Sequence, residues 1–125
     1  GPGILLTISD PKRALKAEDL LDVIEELRGA GAEAIQFGPV RVGTNSSFTD
    51  RDNGVALDGS TLSAPYQVRA IGPSQTMDTA MNIPGGVAAV ARTAGGSATV
   101  SERDRVDITV LRAIPPNHYA SPAPR

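Results

Sequence analysis

Between Leu20 and Phe37 an amphipathic segment stops at Gly29-Ala30-Gly31 and passes within a few residues into the strand-like run Ala34-Ile35-Gln36-Phe37. Leu20, Val23, Ile24 and Leu27 recur at the spacing of one helical stripe, while Asp19, Asp22, Glu25 and Glu26 fill most of the other side. Gly29 and Gly31 can adopt the left-handed conformation that ends a helix at little steric cost. The unit is a helix that hands directly over to a strand. It dictates a mixed α and β fold with one helix face buried.

The rest of the chain extends this pattern. Gly3 to Ser9 reads as a strand closed by Asp10-Pro11, and the first helix runs from about Ala17 to Arg28. The second strand, Ala34 to Phe37, resumes through Val40-Arg41-Val42 after Gly38-Pro39, which argues for a sheet edge or a bulge. Asp52-Asn53-Gly54 and Asp58-Gly59 flank Val55-Ala56-Leu57 as two tight turns of a short meander, with Asn53-Gly54 suited to a type I′ turn. Pro65 to Ile71 is a further strand whose core face is Tyr66, Val68 and Ala70 or else Gln67, Arg69 and Ile71, with apolarity favouring the first. A second helix opens at Gly72-Pro73-Ser74 with Met77, Ala80 and Met81 on one face; a third spans Val87 to Thr93, with Val87, Val90, Ala91 and Ala94 aligned. Ser97 to Ser101 and Val106 to Leu111 are expected as strands around the charged turn Glu102-Arg103-Asp104-Arg105. The order predicts an α+β, ferredoxin-like split β-α-β sandwich with an inserted meander and its helices on one sheet face. Residues 1–111 form the single domain, and 112–125, with four prolines, a tail.

Composition removes several functions. A net charge of −2 argues against nucleic acid, and four aromatic residues without Trp leave little for base stacking. No cysteine is present, which excludes thiol catalysis and thiolate metal sites. The single histidine, His118, sits in the Pro-rich tail, where a catalytic imidazole would lack a rigid second partner. Asp10, Asp50, Asp52 and Asp58 occupy turn positions; Asp50 and Asp52 imitate the start of a calcium loop, but Gly54 comes a residue early. The expectation is a protein with no catalytic residues, no metal and no cofactor. One candidate for ligand binding stands out. Gly72, Ser74, Gln75 and Thr76 at a helix start offer free backbone N–H groups to an anion, with Arg69 just upstream, although the same residues serve ordinary helix capping. The acidic stripe of the first helix is either a solvated face or a surface for a partner.

Several blocks, in order, resemble a known family: Gly3-Ile4-Leu5-Leu6-Thr7-Ile8-Ser9-Asp10, Asp19-Leu20-Leu21, Glu26-Leu27-Arg28-Gly29-Ala30-Gly31-Ala32-Glu33-Ala34-Ile35, Pro65-Tyr66 and Ala70-Ile71-Gly72. On them the chain is similar to the YlxW/YlxX-like "domain of unknown function" family of Gram-positive bacteria, including actinobacteria. The resemblance spans about residues 3–111 and leaves out the Pro-rich tail. It implies the extracytoplasmic domain of a single-pass membrane protein, tethered through a segment N-terminal to this chain and associated with the cell envelope or division. It supplies no catalytic residues. The expected function is therefore protein interaction or self-association, with a small-ligand or anion sensor as the alternative.

Overall fold

The computed structural model of the chain describes residues 1–109. Val110 and Leu111, the boundary after 111, the tail 112–125 and His118 lie outside the described residues. Eleven elements follow in order: β1 (Gly3–Ser9), α1 (Ala17–Gly29), β2 (Ala34–Phe37), β3 (Val40–Arg41), β4 (Phe48–Arg51), β5 (Gly54–Leu57), β6 (Ser60–Thr61), β7 (Tyr66–Ile71), α2 (Ser74–Met81), α3 (Val87–Thr93) and β8 (Ser97–Arg103). They make a mixed α+β fold with two antiparallel sheets, ordered β3-β2-β7-β1-β8 and β4-β5-β6.

The larger sheet owes its two faces to alternation. Ile4, Leu6 and Ile8 of β1 are opposed by Ala70, Val68 and Tyr66 of β7, and Ile35 and Phe37 of β2 continue the same rows. All eight join one core cluster with Leu20, Val23, Ile24 and Leu27 of α1, Met77 and Met81 of α2, and Val87 and Ala91 of α3. The helices therefore share one side of the sheet. Each of the four α1 side chains contributes about 1.5–3 kcal/mol by leaving water. Among the described residues no helix is long and apolar enough to cross a membrane.

Both helix-to-strand connections use the same device. At the end of α1 the Gly31 N–H donates to the Arg28 carbonyl and the Ala32 N–H to the Leu27 carbonyl, with Gly31 at φ +101°. At the end of α3 the Gly95 N–H donates to Arg92 and the Gly96 N–H to Ala91, with Gly95 at φ +90°. These are Schellman closures, and the glycine is needed because its φ is positive. The start of α1 is capped from elsewhere. Lys16 cannot accept a hydrogen bond through its ammonium group; instead the Asp19 carboxylate accepts from the Lys16 N–H and Asp50, in β4, accepts from the Ala17 N–H at 2.8 Å.

The small sheet packs beside this core through Val55, Leu57 and Leu62. Phe48 meets Phe37 edge to face with ring centroids 5.3 Å apart, and Tyr66 lies on the other side of Phe37 at 5.9 Å. Asp58 and Gly59, at φ +51° and +83°, form the type I′ turn of the β5–β6 hairpin. The β4–β5 hairpin also forms, with Arg51 opposite Gly54. Its loop is Asp52-Asn53, however, and Asn53 is not in the left-handed region, so the expected type I′ turn at Asn53-Gly54 is corrected.

A second correction concerns the C-terminal strands. The strand expected from Val106 onward is absent across 106–109. β8 already occupies β1 from Ser9 to Gly3, so no ladder on that side of β1 remains for it. The chain instead bends at Asp104, and the Val106 N–H donates to the Gly1 carbonyl at 2.6 Å. The third helix also differs in detail. Ala88 is buried within it while Val90 is 39% exposed.

The glycines at the end of α1 make opposite predictions. Gly29 has helical geometry and nothing within 4 Å of an added Cβ, so Gly29→Ala stabilises by about 0.5–1 kcal/mol. Gly31→Ala destabilises by more than about 1 kcal/mol, because φ is positive and Pro73 Cγ stands 3.1 Å from the new methyl group. Urea denaturation of the two variants measures both signs.

Candidate functional site

The sheet face turned away from the helices carries a mixture of polar, small and aliphatic side chains. The register places Leu5 opposite both Arg69 of β7 and Ser101 of β8, and Gly3 opposite Ile71 and Arg103. Residues 104–109 fold back over this face. Val106 packs so closely that its Cγ2 stands 3.0 Å from where a Gly3 Cβ would be. A cavity of about 340 Å³ results, lined by Leu5, Arg69, Arg103, Arg105, Val106, Asp107 and Thr109. Arg103 Nε donates to Ser101 Oγ at 2.9 Å and Arg105 Nε to Asp107 Oδ1 at 3.2 Å. Among the described residues the Arg69 guanidinium makes no hydrogen bond or ion pair. Beside Arg69 in the register, Gln36 is buried; its Nε2 donates to the Gly38 carbonyl, and its Oε1 has no partner among the described residues.

A cleft on the helix side carries the opposite charge. This cleft of about 230 Å³ between α1 and α3 has Leu15, Leu20, Val23, Val87 and Val90 in its walls and Asp19, Asp22 and Glu26 among its lining residues. The Glu102 carboxyl is raised from its ordinary value, first by side-chain hydrogen bonding toward Asp78, then by slight desolvation and by the Asp78 charge, while Ser74 acts the other way. Glu102 and Asp78 thus stand together beside α2.

This separates the residues that the sequence grouped for anion binding. Arg69 lies on the outer face with Arg103 and Arg105, whereas Ser74 neighbours Glu102. Gln75 and Thr76 line a shallow depression with Glu26, Gly29, Ala30, Thr79 and Ala80. Gly72 is buried, since an added Cβ would stand 2.8 Å from the Gly31 carbonyl oxygen. Arg103 and Arg105 escaped notice because they read as a charged turn. The signal that finds them is register: Arg103 and Arg69 share the face of Leu5 once β8 pairs with β1.

The aspartates have structural partners. Asp10, 4% exposed, accepts from the Ala14 and Leu15 N–H groups at 2.9 and 3.1 Å. Asp50 caps α1, and Asp58 accepts from Ser46 Oγ and the Ser47 N–H, clipping the loop after β3 to the β5–β6 turn. Asp52 lies in the β4–β5 loop. Among the described residues no three His, Cys, Asp or Glu side chains gather as a metal site.

The two edges of the larger sheet differ. On one side β3 has two residues and follows Gly38-Pro39. On the other, β8 has seven residues, Ser-Ala-Thr-Val-Ser-Glu-Arg, and among the described residues its outer edge pairs with nothing.

Residues 1–121 match the family described as bacterial protein of unknown function, DUF881. The chain belongs to the DUF881 family. It is 43% identical over 126 residues to the UPF0749 protein Rv1825 of Mycobacterium tuberculosis and to the UPF0749 protein Mb1856 of Mycobacterium bovis, covering 98% of this chain and 43% of each relative. The chain thus spans less than half the length of these relatives. A crystal structure of an uncharacterized conserved protein from Mycobacterium tuberculosis superposes with a TM-score of 0.87 at 42% identity, covering 98% of this chain and 89% of that one. The DUF881 fold is therefore shared by a solved mycobacterial protein.

Tyr66 reports on the junction between core and meander in this DUF881 domain. Burial, and secondarily the Asp10 charge, raise its phenol above the ordinary tyrosine value. A group raised in the folded state contributes stability that is complete below its unfolded pKa, about 10, and is lost as pH rises through the folded value. In a Tyr119→Phe variant, absorbance titration detects Tyr66 ionising above pH ~10 together with loss of structure. Ionisation at the free-tyrosine value with circular dichroism unchanged contradicts this placement.

Proposed function

We propose that this domain is a non-catalytic association module that pairs with a second copy of itself through the outer edge of β8. The observation that carries the reading is the edge itself. It has seven residues, no proline, and no charge over its first five positions, Ser97 to Ser101. Natural sheets normally blunt such an edge with charge, proline, a bulge or a covering element. Here the opposite edge is blunted by the brevity of β3, whereas charge enters β8 only at Glu102 and Arg103. Antiparallel pairing about Val100 sets Thr99 opposite Ser101 and keeps Ala98 and Val100 on the helix-covered side. Main-chain hydrogen bonds then supply affinity without a large apolar patch.

The sheet order supports a finer reading of the architecture. The position of β7 between β1 and β2, and of β8 outside β1, supports reading the larger sheet as a ferredoxin-like sandwich with β4–β6 as an inserted meander. The YlxW/YlxX-like resemblance supports placing the domain on the extracytoplasmic side of the cell membrane, tethered through a segment N-terminal to it. There, membrane-bound partners raise one another's effective concentration, so a weak edge contact suffices.

Light scattering across a concentration series tests the association, with a reversible dimer expected. Thr99→Lys, at an exposed position of β8, brings two ammonium groups near the two-fold axis and weakens the dimer by about tenfold. A monomer at every concentration, or a dimer unaffected by Thr99→Lys, overturns the reading.

A further inference from the structure

We propose that the cavity beneath residues 104–109 binds a phosphate-class oxyanion through Arg69, Arg103 and Arg105. The inference goes beyond β8 pairing and does not depend on it.

The cavity is a built feature. Val106 is fastened by its N–H to the Gly1 carbonyl and seated against Gly3, and it turns one end of a flat sheet face into a recess beside Leu5. Three guanidinium groups and one carboxylate, Asp107, line it, which leaves a positive excess. Arginine does not discharge by losing its proton, so an anion is what neutralises that excess. Arg103 and Arg105, both exposed, each donate through Nε, to Ser101 and Asp107, which leaves their terminal N–H groups to donate to a ligand. The fork of Arg69 has no partner among the described residues, and the Thr109 hydroxyl adds a further donor.

The geometry also selects the ligand. A carboxylate is planar and is satisfied by a single bidentate fork. Three arginines around one recess match a tetrahedral dianion, whose oxygens point in several directions. The volume of about 340 Å³ lies at the lower end of small-molecule sites, so it suits a phosphate group with little attached. Leu5 and Val106 give the recess an apolar floor. Among the described residues no aromatic side chain lines the recess to stack a base. The same phosphate chemistry comes from a soluble phosphomonoester or from a lipid headgroup, and the recess opens on a sheet face that accepts either.

The test titrates the 125-residue chain with inorganic phosphate and glycerol phosphate by calorimetry, and with phosphatidylglycerol or phosphatidylcholine vesicles by co-sedimentation. Arg69→Gln and Arg103→Gln are compared with Arg92→Gln, an exposed arginine in the last turn of α3 on the helix side. Thermal melting verifies that each variant is folded. The expected result is salt-sensitive binding that weakens about tenfold or more in Arg69→Gln and Arg103→Gln and is unchanged in Arg92→Gln. Binding of soluble phosphates without vesicle preference assigns a soluble ligand. Selective binding of phosphatidylglycerol vesicles assigns a lipid headgroup. Failure of the wild-type chain to bind either source, or equal weakening in Arg92→Gln, overturns the site. Arg69→Gln leaves β8 pairing intact, so loss of this site and loss of the dimer are read separately.

Discussion

Two backbone segments meet at Gly31 and Gly72 with no room for a side chain, and the arrangement of the whole domain depends on that approach. A Cβ at Gly72 would lie 2.8 Å from the Gly31 carbonyl oxygen and 3.1 Å from Ala32 Cα. Gly31 also closes α1, through the positive φ that the Schellman geometry requires. One contact therefore ends the first helix, starts β2 beside β7 and sets where α2 leaves the sheet. The Glu33 N–H donating to the Ile71 carbonyl at 2.7 Å extends the β2–β7 pairing just beyond this junction. With β2 held against β7, and β7 against β1, the helices have a single face on which to bury Leu20, Val23, Ile24 and Leu27.

Covering one face leaves the other available, and charge is divided between the two. Asp19, Asp22 and Glu26 line the cleft between α1 and α3, whereas Arg69, Arg103 and Arg105 gather on the outer face of the sheet. The net charge of −2 conceals this separation, because these three carboxylates and three guanidinium groups cancel in the sum. Such a dipolar surface favours oriented encounters. In the proposed arrangement, edge pairing through β8 leaves the outer faces of both copies on the same side of a continuous sheet. Their arginine recesses would then face one surface together, a geometry suited to docking on an anionic plane.

Much of the fold was legible because its periodicities are strong. The α1 stripe, the strands Gly3–Ser9 and Ala34–Phe37, and the alternation of Tyr66, Val68 and Ala70 stand as read from the residues. Local pattern failed where tertiary geometry decides. Val106 and Ile108 alternate like a strand, yet β8 already fills that side of β1, and the segment lies over the sheet instead. Asn53-Gly54 carries a type I′ signal, but the hairpin closes one residue earlier. The cap on α1 was not visible, because its acceptor, Asp50, is 33 residues away. The arginine recess was hidden for the same reason. Arg69 and Arg103 lie on different strands and meet only through β1, so no local motif joins them.

Amide hydrogen exchange on the chain at low and high protein concentration tests self-association through β8 most directly. The account predicts that exchange slows with concentration within Ser97–Arg103, while β3 and the α1–α3 cleft remain unchanged. Concentration-dependent protection located on α1 and α3, or none along β8, would contradict it.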